Sequence, residues 1–334
     1  MKKAIAILAC IILALGAAVY ALGAGMGGVG KKVVGIATVQ PTAHPISVGL
    51  RAFREHIEKN LGEEFAVTIY YNGVMGGNSD ALELLQMGTL DLVATSGSNL
   101  ESFDDTYKIF GLPYLFRDEP HFRKCMNEPA FVRAVYDCTA PKGIQGVTWF
   151  ANGVNNIYAF KPIRTPEDLR GLKLRVQSSE ANVKMVQGFG AAAVVMAYGE
   201  VYTALQNRVI DAGMNPEMAL VSMKHGEVAP FYSRTEHQIF TDMLVANAGF
   251  LDSLTPEQKK IFQTGFELAN RIEVEEWDKQ IADCIVQAKK MGVEFIDVDK
   301  RPFMELQKPV REGLLASHPK LKPLYDIVQA TDSK

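Results

Sequence analysis

Histidines, cysteines and carboxylates are the side chains that most often carry catalysis or hold metals, and in this chain none of them gathers into a motif. The six histidines (44, 56, 121, 225, 237 and 318) are dispersed. There is no nucleophile elbow, paired-histidine zinc motif, Walker loop or calcium loop, which counts against an enzyme without excluding groups that converge in space. Gly25-Met26-Gly27-Gly28-Val29-Gly30 spells the dinucleotide fingerprint, but that motif works only between a strand and a helix. Here an apolar leader precedes it and a strand-like run follows, so it is expected to be a flexible start of the mature chain. No cofactor is expected. Cys125, Cys138 and Cys284 leave two readings open: a Cys125–Cys138 disulfide closing a short loop, or three buried thiols. His121 stands four residues before Cys125 and could share a helical face with it. Cys138 is the one further candidate nearby, so the set falls short of the four ligands of a structural zinc, and no metal is expected.

Arg175 is the side chain whose setting points to a specific chemistry. It lies inside Leu172-Lys173-Leu174-Arg175-Val176, a stretch that alternates as a strand does. A guanidinium held in a strand is costly unless paired, and its planar fork suits bidentate recognition of a carboxylate. The pairing could equally be a salt bridge at a strand end.

The elements that must position such a residue are those of an α/β protein. Lys32–Val39 is a β-branched, strand-like run, and Pro45–Leu61 carries Val48, Phe53, Ile57 and Leu61 at helical spacing. A strand over Phe65–Tyr71, a turn-rich stretch through Gly76-Gly77, a helix over Ala81–Gly88 and a strand over Leu90–Ala94 follow. A second unit begins near Gly153. It has a helix start at Thr165-Pro166-Glu167-Asp168, strands over Leu172–Val176, Ala191–Met196 and Ile210–Met214, and helices over Ala181–Gly188 and Glu200–Gln206. Alternating strands and helices predict largely parallel sheets. Thr255-Pro256-Glu257-Gln258 is a capping box, and apolar residues then recur to Ala288. That predicts one helix of roughly 35 residues, long enough to cross both units.

With 334 residues, 48% hydrophobic and 22% charged, the chain suits two lobes better than one compact domain. A net charge of −3 with no basic stripe excludes a nucleic-acid partner. Lys2 and Lys3, the apolar stretch from Ala4 to Val19, and small residues from Ala21 to Gly30 form the three zones of a secretory signal peptide. Cleavage after Gly23 fits, as do neighbouring sites. An uncleaved anchor is the rival, because the apolar run approaches spanning length. Cys10 sits too near the start for a lipid-attachment site, and no later stretch is long and apolar enough to cross a membrane.

Several segments in order resemble a known family. Thr165–Val176 (TPEDLRGLKLRV), Gly190–Met196, Gly199–Gln206 and Asp211 through Asn215-Pro216 are similar to the solute-binding proteins of tripartite ATP-independent periplasmic (TRAP) transporters. His44-Pro45, Gly73 and Gly76, the LLQMGTL stretch with Asp91, and Gly111–Phe116 agree as well, so the resemblance covers essentially everything after residue 33. It implies a two-lobed periplasmic binding protein fold, with a hinge and a long helix spanning both lobes. The lobes are expected as 31–152 plus 241–280 and 153–240 plus 281–334, with hinge points near Ala151–Gly153 and Phe240–Asp242. It implies a non-enzymatic protein that captures a small organic carboxylate in the periplasm, acts as a monomer and partners the membrane permease subunits. Sensory binding proteins and, further off, a periplasmic enzyme acting on an organic acid are the alternatives.

By match, Arg175 pairs with the ligand carboxylate, Asn215 adds a hydrogen bond, and Tyr198 packs on the ligand body. Other positions depart from the pattern: Asn155 stands where sugar-acid binders have a second arginine, Met214 replaces a glutamate, and Ser96 and Asn99 stand where the sialic-acid binder has Glu and Arg. Fewer fixed charges disfavour a dicarboxylate or a heavily hydroxylated acid. The expected ligand is therefore a monocarboxylate with an apolar or aromatic body.

Overall fold

A computed structural model describes residues 30–331. The expected signal peptide, Cys10 and Gly25–Val29 lie outside the described residues. Nine strands join in one sheet: β1 (Lys32–Thr38), β2 (Phe65–Tyr70), β3 (Leu92–Ser96), β4 (Ile144–Ala159), β5 (Lys173–Val176), β6 (Ala192–Val195), β7 (Ala212–Asn215), β8 (Phe231–Asn247) and β9 (Glu294–Asp297). Their order is β2-β1-β3-β8-β4-β7-β5-β6, with β9 added beside β8.

The short strands β1, β2, β3, β5, β6 and β7 fall within a residue or two of where local patterning predicts them, whereas β9 was not expected. β1 pairs in parallel with β2 and β3, and β5 pairs in parallel with β6 and β7, so each half is a parallel α/β layer. The two long strands, of 16 and 17 residues, were not expected, and they hold the halves together. They pair antiparallel along most of their length, from Ile144–Asn247 to Ala159–Phe231. Both are buried on both faces for long runs, so neither shows the alternation that marks a half-buried strand. The register slips between Ala151 and Val154, a bulge centred on Gly153, whose φ of 72° suits a residue without a Cβ.

Four hydrophobic clusters cover the two halves on both faces. Ile36, Leu50, Phe53, Phe262 and Phe266 pack one face of the β1–β3 half, and Leu82, Val93, Phe122 and Phe131 the other. Ile157, Leu174, Val176 and Phe189 pack one face of the β5–β7 half, and Tyr158, Leu205, Tyr232 and Ala288 the other. The Pro256–Lys290 helix has 35 residues, as the capping box and periodicity predict. Its Phe262 and Phe266 join the first half and its Ala288 the second, so it bridges them. The chain end departs from the expected division. The Leu321–Thr331 helix buries Leu321, Leu324 and Val328 in the cluster of Phe122 and Phe131, which Cys284 and Leu314 also join, so the end of the chain packs on the first half. Cys125, Cys138 and Cys284 are free thiols, which settles the open alternative against a disulfide.

Candidate functional site

The carboxyl ends of the parallel strands from both halves converge on one cleft, the usual place for a ligand in open α/β sheets. Gln40 lies two residues past β1, Ser96 ends β3, Gln177 follows β5, Tyr198 lies just past β6 and Asn215 ends β7. These residues, with Arg175, His44 and Asn78, line about 520 Å³ of atom-free space continuous with solvent. Asn152 and Asp242 complete the wall from the two long strands. An adjoining cavity shares Arg175, Gln177 and Tyr198 and adds Asn99 and Asp80.

Arg175 is only 2% exposed. Its Nε and Nη2 both donate to the Met196 carbonyl, at 3.1 and 2.9 Å, and its guanidinium lies 5.7 Å from the Tyr198 ring centre. No carboxylate among the described residues lies within ion-pair distance, so the strand-end salt bridge is not what the protein builds. Burial pulls its pKa below the ordinary guanidinium value, and nearby Tyr158, Tyr198 and Glu200 oppose that. The group nonetheless stays cationic, since an arginine does not deprotonate in proteins. A buried cation without a counter-ion is a strong attractor for an anion.

Asn215 stands beside it, oriented by two tyrosines. The Tyr158 hydroxyl donates to its side-chain oxygen at 3.2 Å, and the Tyr232 hydroxyl donates to its carbonyl at 3.0 Å. With the amide oxygen occupied, the amide NH₂ is the end left to donate into the cleft. His225 lies 2.9 Å from the Tyr158 hydroxyl. Burial first and Arg175 second hold its pKa down at about 3, so no second cation arises there.

Two sequence-predicted positions, Met214 and Asn155, sit elsewhere than expected. Met214 is buried in the hydrophobic cluster with Leu174 and Ile157, because consecutive strand residues face opposite ways and Asn215 takes the cleft side. Asn155 is 0% exposed and does not line the cleft. Instead its Nδ2 donates to Gln238 Oε1 at 3.0 Å. Gln238 Nε2 donates to Asn182 Oδ1 at 3.1 Å, and Asn182 Nδ2 donates to Gln177 Oε1 at 3.2 Å. This chain of amides occupies the oxygen of Gln177 and leaves its NH₂ toward the cleft. Asn99 lines the adjoining cavity, with its Nδ2 donating to Thr95 at 3.3 Å. Arg175, Asn215, Tyr198 and Ser96 do come together in the cleft.

Sequence reasoning missed Gln177, although its spacing of two from Arg175 places both on one face of the strand. It also missed Gln40, Asn78 and Asp242, which nothing local marks, and gave no site role to His44 although His44-Pro45 is one of the family-like segments. Asp242 is 4% exposed, and its Oδ1 has no protein partner. Burial pushes its pKa up to about 7, with the Asn152 side chain opposing. Ser96 Oγ and Gln40 Oε1 are likewise buried without partners. The premise of fewer fixed charges did not count Asp242, an acid that lines the same cleft. One wall carries a cation and amide donors; the other carries an acid, a hydroxyl and an amide oxygen with free hydrogen-bonding capacity.

Comparison with known proteins agrees over nearly the whole chain. The model of the family described as bacterial extracellular solute-binding protein, family 7, matches residues 36–317. An uncharacterised protein of Salmonella typhimurium is 35% identical over 302 residues, covering 90% of this chain and 92% of its own. A TRAP periplasmic solute-binding protein of Anaerococcus prevotii, solved with bound D-glucuronate, superposes with a TM-score of 0.90 at 37% identity, covering 91% of this chain and 99% of that one. One from a Sulfitobacter species, solved with β-D-galacturonate, gives a TM-score of 0.86 at 29% identity, covering 90% and 100%.

Proposed function

Because this chain belongs to family 7 of the bacterial extracellular solute-binding proteins, the solute-binding proteins of TRAP transporters, we propose that it captures a sugar acid of the uronate kind and delivers it to membrane permease subunits. Members of the family serve transport as periplasmic binding proteins. The exported, periplasmic location of this chain is part of the proposal, supported by the charged, apolar and small-residue zones of residues 2–30. No helix among the described residues is long and apolar enough to cross a membrane.

The observation that carries the ligand class is the pairing of opposite walls. Arg175, with no protein carboxylate beside it, supplies the fork for a ligand carboxylate, and the amides of Asn215 and Gln177 add donors. Across the cleft, Asp242 Oδ1, Ser96 Oγ and Gln40 Oε1 lack protein partners. A buried acceptor left unmatched costs about 1–3 kcal/mol, so an apolar or aromatic ligand body would leave that wall unsatisfied, whereas ring hydroxyls would satisfy it. The two relatives solved with hexuronates point the same way, and the expectation of an apolar monocarboxylate is withdrawn. Tyr198, beside Arg175, offers a face for the apolar side of a sugar ring. Calorimetry with D-glucuronate, D-galacturonate, succinate and phenylacetate tests the reading. A uronate should bind tightest; no heat with either uronate, together with tight binding of phenylacetate, would overturn it.

A further inference from the structure

Among the described residues Arg175 is the one cation that lines the cleft, so a ligand with carboxylates at both ends would carry one of them to a wall without a counter-ion. That wall is already acidic. Asp242 lies on β8 in register with Ser96 of β3 and Phe150 of β4, where the two halves meet. It forms no ion pair with Arg175 even though both line the same cleft, which leaves the space between them for a ligand. Behind it, Glu273 of the long helix is fully buried, with Oε2 accepting from the Ala151 amide at 2.8 Å and Oε1 without a partner. Burial raises the Glu273 pKa well above the ordinary carboxylate value; the Ala151 amide opposes this and the nearby Asp242 adds to it. His44, the other titratable side chain at that wall, is neutral, since burial lowers its pKa to about 3.

Resting on the sugar-acid reading, we propose that Asp242 is the specificity-determining residue that makes this cleft select monocarboxylate sugar acids. Its free oxygen accepts hydroxyls at the far end of the ligand and repels a second carboxylate there. Ser96 Oγ, unpartnered on the adjacent strand, can both donate and accept, so the two side chains together match a pair of neighbouring hydroxyls. Like charges brought together in a desolvated cleft are strongly unfavourable, which rejects an aldaric acid or a C4-dicarboxylate.

The deciding pair of ligands is D-glucuronate and D-glucarate, which differ at C1: glucuronate closes there as a pyranose hemiacetal, whereas glucarate is an open chain with a second carboxylate, so it is the change of their ratio in the variant, not the wild-type ratio alone, that reads the charge. At about pH 8, calorimetry on the wild-type protein should show glucuronate binding roughly 100-fold more tightly than glucarate. In Asp242→Asn the ratio should collapse below about tenfold, mostly because glucarate binding improves. Asp242→Ser serves as a second variant with the same expected collapse should the first fail to fold. A wild-type ratio near one overturns the proposal whatever the variants do, and so does an unchanged ratio in a folded variant. If wild-type protein binds neither acid, the sugar-acid reading falls and takes this inference with it. If it binds glucuronate while Asp242→Asn leaves the ratio intact, only the role of Asp242 falls.

Discussion

A buried arginine whose donors reach only a backbone carbonyl has most of its charge uncompensated, and that defines what Arg175 must do. If its fork holds the ligand carboxylate, Arg175→Ala should weaken glucuronate binding by about 2–5 kcal/mol, the usual effect of truncating one partner of a buried charge pair. Calorimetry on a folded variant should show that loss, while Arg175→Lys, which keeps the charge but not the planar fork, should fall between. Asp242 supplies a second prediction at this scale, for the ligand-free protein. Its carboxyl titrates near 7 in the fold and near 3.8 when unfolded, so the native state holds the proton more firmly. Its contribution is most favourable below the unfolded value and is lost as pH rises through about 7. Asp242→Asn removes the buried charge and should therefore melt higher than wild type at pH 8, by several degrees, with the gap closing by about pH 4, as thermal denaturation would show. A gap that widened on acidification would contradict the sign. His44, His225 and His237 act oppositely: each is held at about 3, so their contribution is present above 6.5 and fades as pH falls toward 3. Three histidines outweigh the one acid, so wild-type stability should fall as pH drops from 6.5 toward 3, most steeply below about pH 4, where Asp242 no longer offsets the loss.

Among the elements, the paired strands β4 and β8 and the long helix matter most, and they meet at Gly153. Its φ of 72° is the left-handed region, and a Cβ there would lie 2.6 Å from Cζ2 of Trp277 on the long helix. The indole is 1% exposed and cannot swing into solvent without emptying the core. Gly153→Ala should accordingly lower stability by about 2 kcal/mol or more, from backbone strain and overpacking together. Denaturant titration would read that as a lower midpoint at unchanged slope. The amide chain Asn155–Gln238–Asn182–Gln177 belongs to the same scale, since it ties β4, β8 and the Glu180–Gly188 helix to the cleft. Asn155→Ala leaves Gln238 Oε1 without its donor, so glucuronate affinity should fall by about tenfold or less although Asn155 does not line the cleft.

For the molecule as a whole, the proposed mechanism is closure of two halves about the bulged crossing strands. Cleft groups come from both sides, with Arg175, Gln177 and Asn215 on one and Gln40, Ser96 and Asn78 on the other. A ligand gripping both shifts the balance only by its preference for the closed form. Saturating glucuronate should therefore shrink the radius of gyration in small-angle scattering and raise the melting temperature in a concentration-dependent way. Identical scattering curves with a ligand proven to bind would show a rigid cleft.

Local patterning alone determined the parallel α/β units, the 35-residue helix and its capping box, because those depend on spacing within a few turns of chain. It also placed Arg175, Asn215, Tyr198 and Ser96, through segments whose order resembles a family. Tertiary structure decided the rest. The crossing strands β4 and β8 escaped notice because burial on both faces erases the period of two that betrays a strand. Met214 fell inside because a one-residue step along a strand turns a side chain from cleft to core, and Asn155 because its amide pairs with Gln238 behind the cleft. Gln177 was within reach of the sequence, two residues from Arg175. Asp242 was not: its chemistry comes from being enclosed by a distant strand, by Asn152 of β4 and by the long helix. Desolvation at that point, which no stretch of sequence records, is what pushes the carboxyl of an ordinary aspartate up to about 7 and leaves it without a protein partner for one oxygen.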